Sequence, residues 1–160
     1  MDVKMRYLRP RAVVGVEANG PYAQSMEAAW QQVFSWLTTR DLWGQVKGGI
    51  GMRVGDPRMH APGQLVYRAG VDLGSATRPD PLYGSTVFNV VGGVYAAHAY
   101  EGAIEGTSAT LSALLRSFLP QQGLVIDDQR PLVELYDVPD FSADPVIHRI
   151  EFCIPVTPQS

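Results

Sequence analysis

A chain of 160 residues, 46% hydrophobic and 18% charged, is long enough for one apolar core, short for two, and too apolar to be disordered. A net charge of −3 argues against duplex nucleic acid as the partner, because phosphate binding needs a clustered Lys/Arg surface. The longest apolar stretch, Val87 to Ala97, is broken by Asn89 and two glycines and is too short to span a bilayer, and the start Met-Asp-Val-Lys has no signal core, so a cytoplasmic protein is expected.

Val3 to Leu8 reads as a first strand and Ala12-Val13-Val14-Gly15-Val16 as a second, stopped by Asn19-Gly20-Pro21. Proline suits the first turn of a helix, where its missing N–H costs nothing. Tyr22, Met26, Ala29, Val33 and Trp36 then follow at spacings of four, three, four and three, which predicts one helix over 22–38. Ile50 to Val54 and Gln64 to Leu73 read as strands, separated by a surface turn from Gly55-Asp56-Pro57 to Pro62-Gly63. Gly48-Gly49-Ile50-Gly51 resembles a phosphate loop only superficially: it enters a strand, lacks the Gly-Lys-Ser/Thr ending, and is expected to make a turn.

The segment Gly74 to Gly84 links two halves. Val87 to Tyr100 opens the second half, with a bulge or bend at Gly92-Gly93. Ile104, Ser108, Leu111, Leu115 and Phe118 stripe a second helix over 104–119, which Pro120 is expected to end at once. Leu132 to Tyr136 and Val146 to Pro155 read as the last strands, around a loop from Asp137 to Pro145.

The halves repeat. An offset of 82 residues carries Gly20 to Gly102, Leu37 to Leu119, Leu42 to Leu124 and Pro57 to Pro139 without a gap. Neither half buries its apolar face alone. The expectation is an α+β domain over 1–160, with halves at about 1–81 and 82–160. Duplicated β-α-β-β units would form antiparallel sheet around a pseudo-two-fold and a central ligand cleft.

The repeat breaks at one carboxylate. At matched positions the first half has Met52 and the second has Glu134, within Leu132-Val133-Glu134-Leu135-Tyr136. A carboxylate in an apolar strand must be solvated in a cavity, paired or neutral. An aromatic cavity with one carboxylate suits lipophilic cations. The competing expectations are a solvated rim position or a pair with Arg149. Strand alternation would send Val133 and Leu135 to the helix and Leu132, Glu134 and Tyr136 to the free face. Tyr136 and Tyr67 are the natural walls of a ligand site there. Trp43, after the first helix, is a further candidate, as are Met52 and Tyr95, which shares a face with Ala97 and Ala99. Trp30 and Trp36 read as core. Glu151 and Glu17 are weaker acids.

His98, His60 and His148 have no metal-ligand spacing, so neither a metal nor a cofactor is expected. No Gly-x-Ser-x-Gly occurs, and the lone Cys153 among apolar residues reads as a buried, inert thiol.

Taken in order, these residues resemble the GyrI-like (gyrase-inhibitor-like) small-molecule-binding domains, found alone and as effector-binding parts of multidrug-responsive transcription regulators. The resemblance runs from Val3 to Val156. It rests on Val14-Gly15-Val16 with Gly20-Pro21-Tyr22, on Gly51 to Asp56-Pro57, and on Gly93-Val94-Tyr95 with Gly102. Its more specific parts are Glu134-Leu135-Tyr136 and Ile150-Glu151 to Ile154-Pro155-Val156. The resemblance implies two β-α-β-β units around a cleft, with the ligand carboxylate at Glu134. It implies a binding module for a lipophilic ligand, cationic or electrophilic. The alternative is a hydrolase of strained electrophiles using Glu134 to activate water, and inhibition through protein contact is a weaker third. With no room before Val3 for a helix-turn-helix, direct nucleic acid binding is not expected, nor is a membrane partner. A protein partner stays open.

Overall fold

A computed structural model describes residues 1–57, 59–136 and 147–158. The elements in chain order are β1 (Lys4–Leu8), β2 (Arg11–Asn19), α1 (Tyr22–Thr39), β3 (Gly48–Val54) and β4 (Val66–Asp72). The second half has β5 (Thr86–Val90), β6 (Gly93–Gly102), α2 (Glu105–Ala113), β7 (Leu124–Ile126), β8 (Leu132–Tyr136) and β9 (His148–Pro158). The sequence-derived loop from Asp137 to Pro145, with Pro139 and Val146, lies outside the described residues.

Pro21 starts α1: its carbonyl accepts from the Gln24 and Ser25 N–H groups, both at 3.0 Å. The expected stripe is the buried one, and Tyr22, Met26, Ala29, Trp30, Val33, Trp36 and Leu37 face the sheet. Each large apolar side chain buried this way stabilises by about 1.5–3 kcal/mol. The second helix departs from expectation at its end. After α2 the backbone widens into a π-helical turn, Leu114–Phe118, and continues through Leu119–Gln121. Pro120 therefore does not end the helix at once, because a widened turn just ahead of it accommodates both the ring and the missing N–H. Gly123, at φ +70°, closes the path.

All pairings are antiparallel, in the order β1-β6-β9-β8-β3-β4-β2-β5, with β7 added on β9. The order is palindromic about the β8·β3 junction, which is the pseudo-two-fold, and each half lends its first strand to the other half. Registers repeat too. Leu8 pairs Gly93 where Val90 pairs Arg11, and Glu134 pairs Phe152 where Gly51 pairs Ala69. The outer strands keep the offset of 82 (90 − 8), but the inner strands are offset by 83 (134 − 51, 152 − 69). Gly51 pairs directly with Glu134 across the junction. The structural counterpart of Glu134 is thus Gly51, not Met52. One residue of shift moves a strand side chain to the opposite face.

The faces follow. The helix side of the sheet carries Val14, Val16, Tyr67, Val71, Leu132, Tyr136, Phe152 and Ile154. The other face carries Leu8, Val13, Ile50, Met52, Phe88, Tyr95, Ala97, Val133 and Cys153, buried as the sheet curls. Val133 and Leu135 therefore lie away from the helices, the reverse of the sequence expectation. Burial pushes the Cys153 thiol up to about 12, so it is protonated at neutral pH. Among the described residues no helix is long and apolar enough to cross a membrane.

Candidate functional site

Three neighbouring strands build the site by register. β8, β3 and β4 place Glu134 beside Gly51 and Ala69, Leu132 beside Arg53 and Tyr67, and Tyr136 beside Gly49 and Val71. The small residues sit at the centre for a reason. A Cβ on Gly51 would stand 2.1 Å from Tyr67 Oη and 2.7 Å from Glu134 Oε1. A Cβ on Gly49 would stand 3.0 Å from the Trp30 ring. Gly48 to Gly51 is accordingly strand and not the turn its glycines predict.

Into this space the carboxylate of Glu134 is inserted at 0% exposure. Its Oε1 accepts from the Tyr67 and Tyr136 hydroxyls, each at 2.7 Å. Its Oε2 accepts from Arg53 Nε at 2.5 Å. Trp30 Nε1 donates to Tyr67 Oη at 2.9 Å, and the Trp30 ring meets Tyr136 edge-on at 5.2 Å. Arg53, 6% exposed, lies over the rings of Tyr22 at 5.1 Å and Phe152 at 5.6 Å. Its Nη2 donates to Thr107 Oγ1 of α2 at 3.4 Å. Tyr22 Oη is held in turn by the Gly55 carbonyl at 2.6 Å. Every oxygen of the carboxylate has a donor, as a charge removed from water requires.

The electrostatics are those of a dry ion pair. Burial, and then the Glu134 charge, raise the Tyr67 and Tyr136 phenols well above their ordinary value. Burial alone would lower the Arg53 pKa, but the adjacent carboxylate outweighs it and raises it. The two phenols have a consequence for stability. Their folded-state values lie above the unfolded value of about 10, so their contribution is full below about pH 10 and is lost as pH rises beyond it. We expect a urea midpoint that falls as pH is raised past that point, together with delayed phenolate absorbance. Full tyrosine ionisation in the folded protein near pH 10 would contradict the burial of these hydroxyls.

Glu134, Tyr136 and Tyr67 are brought together, on the helix side. The other candidates are not with them. Trp43 is 40% exposed, donates to Thr38 Oγ1 at 2.9 Å and packs on Phe34 at 5.4 Å. Met52 and Tyr95 lie on the opposite face, where Tyr95 Oη donates to the Val91 carbonyl at 2.6 Å. Arg149 pairs with Glu101 at 3.5 Å, while Glu151 pairs with Arg6 and Glu17 with Arg68. His98 Nδ1 meets the Asp2 carbonyl at 2.8 Å, and His60 turns back on the Asp56 backbone. Among the described residues no group of three His, Cys, Asp or Glu could hold a metal. A surface groove of about 610 Å³ runs past Arg6, Ala99, Glu101, Leu135, Arg149 and Glu151, and Tyr136 is the one residue of the cluster that lines it.

Sequence reasoning missed Arg53 and Trp30. The signal for Arg53 was the one used for Glu134: a lone charge in an apolar strand, at the matched segment of the other half. Trp30 read as core, and it is buried; its indole N–H is what reaches the site.

A model of the GyrI-like small molecule binding domain family matches residues 1–157. None of the curated proteins matches the chain. Among solved structures, SAV2435 bound to tetraphenylphosphonium is similar at 18% identity and TM-score 0.61, covering 96% of this chain and 94% of that one. A hydrolase from Listeria innocua is similar at 12% identity and TM-score 0.58, covering 97% and 91%. EcmrR, in its complex with DNA, is similar at 10% identity and TM-score 0.71, covering 99% of this chain and 58% of that one. At these identities the structures share the fold.

Proposed function

The chain belongs to the GyrI-like small molecule binding domain family, and on that premise we propose that it takes a lipophilic cation between the sheet and its helices. Glu134 is the counter-ion, and Tyr22, Tyr67, Tyr136 and Trp30 are the aromatic walls. One observation carries this reading: a carboxylate with no exposure, oriented by two phenols and ringed by aromatic side chains. A buried charge adds little stability to a fold that apolar packing would not supply. It does give an aromatic cavity a preference for positive charge. Tetraphenylphosphonium bound to a protein of the same fold is a cation of that kind.

The test is calorimetric titration of the wild-type protein with tetraphenylphosphonium and with neutral triphenylphosphine oxide. The cation should bind at least about tenfold tighter, a difference of about 1.4 kcal/mol. Equal affinities, or no binding of either, would overturn the reading.

Hydrolysis with Glu134 as general base fits the geometry less well. A base needs an oxygen free to approach water or substrate within about 3 Å, and both oxygens here already accept from Arg53, Tyr67 and Tyr136. Chromatography after incubation with strained-ring and activated-ester compounds should return them intact. Multiple turnovers would favour the hydrolase.

A further inference from the structure

The Arg53 guanidinium already sits where a bound cation would. It touches the carboxylate at 2.5 Å, lies over the faces of Tyr22 and Phe152, and is fixed to α2 through Thr107. Counter-ion, aromatic faces and burial are together what recognises a cation. We propose that Arg53 is an internal competitor: a tethered cation that fills the site when no ligand is present and must be displaced from Glu134 before one binds. The proposal rests on the cation-binding reading above and adds a specificity determinant to it.

The physical consequence is a filter. A ligand that replaces Arg53 exchanges one ion pair for another, so charge alone yields no net gain. The surplus must come from apolar surface, at about 25 cal/mol per Å² removed from water. Small hydrated cations have no such surface and are rejected, while bulky aromatic cations are admitted. A neutral ligand of the same shape is disfavoured too, because displacing Arg53 leaves Glu134 buried without a counter-charge. Arg53 is also placed to move. It is the penultimate residue of β3, beside the Gly55 turn, and its side chain keeps 5% exposure.

Two substitutions and one measurement on the wild type test this. Arg53→Met keeps an unbranched side chain and removes the charge. It should tighten tetraphenylphosphonium binding by about ten- to hundredfold, the worth of one charge-assisted hydrogen bond. It should also let tetramethylammonium bind, which the wild type should reject. Arg53→Lys keeps the tethered charge and should stay near wild-type affinity. Equal affinity of wild type and Arg53→Met for tetraphenylphosphonium would overturn the competitor role while leaving the cation reading intact. Failure of both proteins to bind any lipophilic cation would instead overturn the cation reading, and the competitor role with it. Equal tightening by Arg53→Lys and Arg53→Met would show that charge is not what competes. Should Arg53→Met fail to fold, the wild type decides. Its Arg53 Nε–H resonance, assigned by its loss in Arg53→Lys, should shift and lose solvent protection on saturation with tetraphenylphosphonium. An unchanged resonance in the saturated protein would overturn the proposal.

Discussion

Replacing Glu134 by glutamine is expected to destabilise the protein by about 3–5 kcal/mol, the cost of leaving one member of a buried pair without its partner. The sequence alone leads to the opposite expectation, since removing one charge at nearly constant shape ought to leave folding intact. The structure supplies what that reasoning lacks. Arg53 is 6% exposed and takes its counter-charge from Glu134. A glutamine would face the Arg53 N–H groups with an amide that either donates against them or gives up the two phenols. Urea unfolding should show a lower midpoint with an unchanged slope. The paired change Arg53→Met with Glu134→Gln removes both charges and should recover most of the loss, since replacing a whole buried pair is far cheaper than breaking it. A Glu134→Gln protein as stable as wild type would mean that Arg53 does not depend on this carboxylate.

The second large effect is expected at Gly51. The added methyl of Gly51→Ala would lie 2.1 Å from Tyr67 Oη, closer than carbon and oxygen can approach. The Tyr67 ring cannot simply retreat, because its hydroxyl is fixed between Trp30 Nε1 and Glu134 Oε1. Overpacking of this kind costs about 1–3 kcal/mol, and the loss of a hydrogen bond to a charged group adds about 1.5–3 kcal/mol. Gly51→Ala should therefore lose stability and ligand binding together. Gly63 is the control, since a Cβ there meets nothing within 4 Å. Gly63→Ala should change stability by no more than about 0.5 kcal/mol. If the two alanine variants unfold at the same urea concentration, the centre of the site is looser than described.

Much of the fold was legible because helices and strands write their periods into the apolar residues. The α1 stripe from Tyr22 to Trp36 and the strand Leu132–Tyr136 emerge as read. The duplication was legible as well, and the palindromic sheet order is its physical expression. What the residues did not disclose was register. The second half holds one residue more than the first between β6 and β8, so the offset of 82 becomes 83 at the inner strands. That single residue turns Glu134 from the free face to the helix face and replaces Met52 by Gly51 as its counterpart. Arg53 escaped because its partner is 81 positions away and only strand pairing brings them together. Gly48 to Gly51 read as a turn because glycine usually marks one. Here Gly49 and Gly51 stand in a strand, making room for the Trp30 ring and the Tyr67 hydroxyl. β7 went unread because three residues are too few to show a period.

The cation-binding claim is tested most directly by a crystal structure of the wild-type protein grown with tetraphenylphosphonium. The account expects the phosphonium among Tyr22, Tyr67, Tyr136 and Trp30, with ring faces within about 6 Å of the cation, Glu134 as its nearest charge and the Arg53 guanidinium displaced. A phosphonium lodged in the surface groove beside Ala99 and Leu135, with the Arg53–Glu134 pair still closed, would contradict it.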